Sequence, residues 1–333
     1  MLNLFPDINI ERINMIHTFE VFRELSKDEF EYILDMHKIK NKKYYDFTNN
    51  IKINGVVAYI KKISNIGKWK LTIFIDAVKL LNKSIIVEAD MEAILSIVNF
   101  ISNSILGYPG DIILNRIDYR FDKVIIDKDI RELIMKLYNK NENRKAHMKK
   151  VSVFNKNTKK SNRKTSIRYV NKSRCCNVYD KEEERKFKGE AILNYENNVL
   201  RYEVQVKRNH IRYLKRNYSI PDRFEEYFTK EKYNHFMEKN IIAAYGKSDY
   251  YNLYYARKKI YESNLNEKYK EELINFLKET AIKKGLTKSK KSYTYYKYRK
   301  FIKQLNELNI HPIIIEKSNS IKKLENPIKN ILL

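Results

Sequence analysis

Three strand-like segments of this chain carry polar residues where strands of a core would carry apolar ones. They are R-I-D-Y-R-F-D at 116–122, N-V-Y-D-K-E-E-E-R at 177–185 and L-R-Y-E-V-Q-V-K at 200–207. A strand turns successive side chains to opposite faces, so residues two apart share a face. That pairs Asp118 with Asp122, and Glu203 with Gln205, with Val204 opposite. If the three strands are neighbours, Asp118, Glu203 and either Asp122 or Gln205 form an oxygen-rich cluster. Hard oxygen ligands suit Mg²⁺ or Mn²⁺. A hydroxyl beside such a cluster, Tyr179, could attack a phosphate, and Lys181 would add positive charge to the transition state. Each residue also has a plainer reading. A lone carboxylate on a strand is more often an ion-pair partner than a ligand. Among 26 tyrosines, composition does not distinguish Tyr179 from Tyr169, Tyr195 or Tyr202.

The rest of the chain supplies the frame. Residues 15–22, 56–63 and 71–77 read as strands, followed by a helix from Asp90 to Gly107 with Met91, Ile94, Leu95, Val98, Ile101 and Ile105 on one face. A strand at 112–121 precedes a second helix, which the Asp129/Glu132 capping-box spacing opens. Further strands follow at 165–170, 176–179 and 199–206. Strands mixed with two well-formed helices predict an α+β fold on an antiparallel-type sheet. From about Asn209 the character is helical, with helices expected at 221–230, 249–262, 267–284 and 293–308, Gly285 closing the third, and a short strand at 311–315. The interruption at Asn217–Pro221 divides the chain into residues 1–216 and 217–333.

Charge narrows the function class. Lys and Arg number 67 against 41 Asp and Glu, a formal charge of +26, which points to a polyanion. A basic disordered tail is excluded, because 43% of residues are apolar and Gly and Pro total only 12. The charge is concentrated. No acid lies between Glu142 and Asp180, a span that includes Lys159, Lys160, Arg163, Lys164, Arg168 and Arg174. A second acid-free run, 280–306, interleaves Lys290, Lys291, Lys297, Arg299 and Lys300 with tyrosines, Tyr295 among them. Ammonium groups neutralise phosphates, and tyrosine faces stack on bases, so both runs are candidate DNA contacts. Cys175 and Cys176 are adjacent, which suits neither a disulfide nor a four-ligand zinc site and predicts a reduced, cytoplasmic protein. Neither a transmembrane run, a signal peptide nor a membrane partner is expected.

The ordered series R-I-D-Y-R-F-D, N-V-Y-D-K-E-E-E-R and L-R-Y-E-V-Q-V-K-R resembles rolling-circle replication initiators of the plasmid Rep_trans type and the related phage and plasmid gene II/X type. The opening N-M-I-H-T-F at 14–19 and the segment Y-Y-K-Y-R-K-F-I-K-Q-L-N-E-L-N-I-H-P-I-I-I at 295–315 look more like the gene II/X type. The resemblance implies an HUH-endonuclease-like, ferredoxin-like catalytic domain followed by a mostly helical DNA-binding domain. It puts the nicking nucleophile on Tyr179, with a 5′-phosphotyrosyl intermediate and a free 3′-OH primer. It implies single-stranded and origin duplex or hairpin DNA as partners, with a host helicase and polymerase. Only one tyrosine lies in a recognisable nucleophile motif, so termination calls for a second subunit, as in a homodimer, or for a water. The chain departs from the common His-hydrophobe-His metal motif: its six histidines include no pair two apart, and Glu203-Val204-Gln205 stands in the corresponding alternation. Two other readings stay open: a non-enzymatic DNA-binding regulator, and a mobilisation relaxase using the same tyrosine chemistry.

Overall fold

Period-two runs of β-branched and aromatic residues build the strands. In the computed structural model, residues 11–40, 43–63, 67–141, 148–152, 154–155, 160–161, 164–316 and 320–333 are described. The strands are β1 (Glu11–Leu25), β2 (Tyr44–Asp46), β3 (Val56–Ile63), β4 (Lys68–Asp76), β5 (Ile113–Val124), β6 (Lys149–Val151), β7 (Phe154–Asn155), β8 (Lys160–Ser161), β9 (Ser166–Val170), β10 (Arg174–Asp180), β11 (Val199–Lys207) and a short antiparallel pair, β12 (Tyr250–Tyr251) with β13 (Lys323–Leu324). Nine of them form one sheet in the order β2-β3-β4-β1-β5-β11-β10-β9-β6, and every neighbouring pair is antiparallel. β7 and β8 pair separately. The fold is α+β with a large antiparallel sheet. The three polar segments lie on β5, β10 and β11, which are consecutive in the sheet.

The two faces of this centre differ. Phe19, Ile117, Tyr119, Phe121, Tyr202, Val204 and Val178 are fully buried and face the main helical layer. Helix Lys128–Asn139 brings Tyr138 to Tyr202, with hydroxyls 3.0 Å apart. Helix Lys230–Met237 stacks Phe236 on Tyr119, ring centroids 5.3 Å apart, and Tyr119 Oη donates to the Tyr227 carbonyl at 2.6 Å. Burying each such ring stabilises the fold by roughly 1.5–3 kcal/mol. Helix Met91–Leu106 buries Ile94, Val98, Ile101 and Ile105 in the same core and ends at Gly107. Its extension Glu88–Leu106 is long and apolar enough for a membrane span by composition; one face of it, with Ile94, Val98, Ile101 and Ile105, is buried in the core, and the other, with Phe100, is exposed.

Several boundaries differ from the sequence expectation. The second helix is capped by Asp127, whose carboxylate accepts from the Asp129 and Ile130 amides at 2.8 and 3.2 Å, so the Asp129/Glu132 box is not the cap. Residues 221–229 are turns and bends rather than a helix. The Asp222 carbonyl takes the Leu114 amide at 2.8 Å and its carboxylate holds Lys215 and Arg208, so the segment straps across the end of β5. The helix begins instead at Lys230, capped by Thr229. Residues 311–315 form no strand; isolated bridges join Ile310 to Asp249 and Ile315 to Asn252. The segment 177–185 is strand only to Asp180. Helix Lys181–Lys188 follows at once, with Asp180 accepting from the Glu183 amide at 3.1 Å, three glutamates in its first turn and basic residues in its last. That charge order suits the helix dipole.

Candidate active site on the polar face of the sheet

Alternation along β5, β10 and β11 puts Arg116, Asp118, Arg120 and Asp122, then Cys175, Asn177 and Tyr179, then Arg201, Glu203, Gln205 and Lys207 on the face opposite the buried aromatics. Tyr179 Oη donates to Glu203 Oε1 at 2.8 Å. The same oxygen lies 3.4 Å from His17 Nδ1, which reaches over β5 from β1. His17 gains this position through a register break: β1 advances from Asn14 to Thr18 while β5 advances only from Arg120 to Asp118. Thr18, next along β1, donates to Asp118 Oδ2 at 2.6 Å, and Gln205 Nε2 donates to the same atom at 3.3 Å. Arg116 Nε stands 3.3 Å from Asp118 Oδ1.

Asp122 belongs to a different arrangement. Arg201 clamps it with two bonds of 2.8 and 2.9 Å, Arg120 lies 3.4 Å away, and all three side chains are almost wholly buried. Both Asp122 oxygens are therefore committed to guanidinium groups, which separates it from Asp118 and Glu203. Lys181 is buried beside Tyr179, its Nζ 5.8 Å from the ring centroid, and is paired with Glu184 at 2.7 Å and Glu196 at 3.5 Å. Its charge is thus shared with two carboxylates. Just beyond Tyr179, the buried Arg131 bonds Asp180 at 2.7 Å and Glu182 at 2.6 Å, fixing the strand-to-helix junction.

Burial governs the ionisation here. It raises Asp118 to about 6 against the pull of Arg116 and Thr18. Glu203 is also opposed by burial, but hydrogen bonds from His17 and Tyr179 and the charge of Arg201 hold it well below the usual carboxylate range. Burial keeps the His17 imidazole below its ordinary value, despite the opposing pull of Glu203. Burial and the charge of Glu203 push the Tyr179 phenol well above 10. Asp118 Oδ1, Arg116 Nε, Arg120 Nη1 and Arg201 Nη1 are buried without a hydrogen-bond partner. Buried polar atoms without hydrogen bonds are costly; Arg116 Nε and Asp118 Oδ1 are offset only by their mutual ion pair at 3.3 Å. Among the described residues, no three His, Cys, Asp or Glu side chains gather at metal-binding distance.

The tyrosine ambiguity is reduced by geometry. Tyr169 and Tyr202 pair with Cys176 and Val178 and point into the helical layer. Tyr195 lies in the Asn194–Glu196 turn, near enough to Arg120 and Arg201 to feel their charge. Of the basic candidates, Arg168 shares the Tyr179 face and donates to Cys175 Sγ at 3.3 Å. Arg174 points the other way, 3.4 Å from Asn240 in the helical layer, so it does not join the face. Lys164 is exposed. Lys159 and Arg163 lie outside the described residues, as does the side chain of Lys160. In the C-terminal half, Lys291, Tyr295, Lys297, Arg299 and Lys300 are exposed on or just before helix Tyr295–Glu307, with Lys290 beside the rings of Tyr295 and Tyr298. His17, Thr18, Arg120 and Arg201 complete the site without having been assigned to it from the sequence. The signal was the polar His-Thr pair inside the otherwise apolar run M-I-H-T-F. Compared with protein-family models and with curated proteins, the chain matches none.

Proposed function

We propose that this protein initiates rolling-circle DNA replication in the cytoplasm, nicking single-stranded origin DNA through Tyr179 and rejoining strands at termination. The observation that carries the reading is the Tyr179–Glu203–His17 contact, set on a basic sheet face beside Asp118. The sheet would serve as an HUH-endonuclease-like platform within residues 1–216, with residues 217–333 as the helical DNA-binding part. In the step itself, a bond forms from Tyr179 Oη to phosphorus as the bond from phosphorus to the 3′ oxygen breaks. Glu203 orients the Tyr179 hydroxyl, the phenolic proton passes to solvent, and the leaving oxygen takes a proton from solvent to become the 3′-OH primer. Arg116 and Arg201, with unsatisfied N–H groups on this face, offset the phosphate charge. Asp118 and Glu203 are the carboxylates that would hold Mg²⁺ or Mn²⁺, hard ions that carboxylate oxygens suit; Asp118 Oδ1, ion-paired with Arg116 but accepting no hydrogen bond, has a lone pair to offer. When bound, the ion would polarise the phosphate oxygens. Asp122 is better placed to anchor Arg201, and Gln205 to orient Asp118. Lys159, Lys160, Arg163, Lys164 and Arg168 would follow the strand, and Lys290, Lys291, Tyr295, Lys297, Arg299 and Lys300 the origin.

The test is a covalent adduct. The protein is incubated with Mn²⁺ and a labelled single strand carrying the origin of its replicon, then denatured. An adduct retained in Tyr195→Phe but lost in Tyr179→Phe is the expected result. An adduct that survives Tyr179→Phe removes the nucleophile assignment, and no adduct with any divalent ion leaves a DNA-binding regulator as the better reading.

A further inference from the structure

We infer that residues 286–307 form a helix-turn-helix that reads base pairs of duplex DNA, with Tyr295–Glu307 as the recognition helix. This rests on the DNA reading above and gives the C-terminal half its own substrate: double-stranded DNA in the major groove, distinct from the single strand cut on the sheet. Helix Leu286–Lys290 and helix Tyr295–Glu307 are joined by the four-residue turn Lys291–Thr294, and Thr294 caps the second helix through the Lys297 amide at 3.3 Å. Two helices linked by such a short turn are the frame in which the second helix enters a major groove. The recognition helix is anchored on one side only. Tyr298, Phe301 and Leu305 are buried, with Phe301 against Phe276 of the supporting helix Glu267–Ile282 at 5.3 Å.

The outer side has a composition that a merely solvated face would not require. Tyr295 and Tyr296 are 64% and 80% exposed. Arg299, also exposed, donates to Tyr295 Oη at 2.9 Å and lies 5.6 Å from that ring's centroid, and no carboxylate among the described residues is bonded to it. Lys297, by contrast, is tied to Glu272 at 3.1 Å. A guanidinium braced by a tyrosine and unclaimed by any acid is suited to the paired acceptors on a guanine edge. Lys288 and Lys291, exposed on the first helix and the turn, stand where the flanking phosphates would run. The stretch from 280 to 306 holds no acid, so the charge is complementary to a duplex throughout. A 13-residue helix is about 20 Å long, enough to lie along a groove about 12 Å wide.

The experiment uses the full chain carrying Tyr179→Phe and a pool of random-sequence duplexes about two turns long. Selection should enrich a consensus. Arg299→Ala should then lower the preference for consensus over scrambled duplex by about tenfold or more. A Lys288→Ala/Lys291→Ala double variant should weaken both duplexes alike and lower the salt slope by about 2. Circular dichroism confirms that each exposed-residue variant is folded. No consensus, or full discrimination retained in Arg299→Ala, would overturn the inference. The adduct assay stands apart: a protein that fails to nick yet selects a duplex leaves this inference intact, and the converse leaves only the nicking reading.

Discussion

At the residue scale, Asp118 is held in a form that disfavours its charge. Burial raises its carboxyl to about 6 from an ordinary 3.8. A raised carboxyl binds its proton more tightly in the folded state, so this contribution to stability is complete below pH 3.8 and lost as pH rises to about 6. The loss amounts to up to about 3 kcal/mol. Asp118→Asn removes that dependence. Relative to wild type, the variant should gain stability between pH 4 and pH 7.5 in urea unfolding while losing nicking. An equal difference at both pH values would show that the carboxyl ionises normally. An ionised carboxylate that the fold opposes is one that a bound cation would relieve.

At the scale of elements, β5 and β11 are joined by more than their ladder. Arg201 on β11 bonds Asp122 on β5 twice, and Arg120 crowds the same carboxylate. Asp122→Ala leaves two buried guanidinium groups uncompensated and should cost about 3–5 kcal/mol in denaturant unfolding. A loss below about 1 kcal/mol would mean that water already shares the site. This pairing bears on what the sequence could disclose. The alternation R-I-D-Y-R-F-D announced a two-faced strand, because a period of two is visible locally. That Asp122 faces Arg201 while Asp118 faces Thr18 and Gln205 depends on register between strands about 80 residues apart, as the Asp122–Arg201 pair is. His17 was harder still, since its approach to Glu203 needs both the order β1-β5-β11 and the register break in β1. The helix after Tyr179 was hidden because Lys181–Lys188 follows the strand with no turn residue between them. Only the Asp180 cap and the three glutamates behind it mark the start.

At the scale of the whole molecule, one backbone hydrogen bond between the C-terminal helices and the sheet-bearing half depends on a glycine. The Leu286 amide donates to the Lys140 carbonyl at 3.0 Å, at the end of the helix that carries Tyr138 and Arg131. Gly285 makes the approach feasible: its φ is +154°, and an added Cβ would stand 3.0 Å from that carbonyl oxygen. Gly285 also returns its own amide to the Thr280 carbonyl, closing the preceding helix as its position in the sequence suggested. Gly285→Val should therefore cost about 1–3 kcal/mol. It should speed amide exchange across 286–307 more than in the sheet. Uniform exchange rates in the variant would show that the contact is incidental.

The adjacent pair Cys175 and Cys176 straddles β10, one thiol on the Tyr179 face beside Arg168 and the other on the helical side near Asn240. Neither is in a disulfide, and both are buried. The chain thus carries two native chemical reporters one residue apart, looking into opposite layers. Single Cys→Ser variants turn them into separate gauges: alkylation at one position times the opening of the polar face of the sheet, and at the other the lifting of the helices from the sheet.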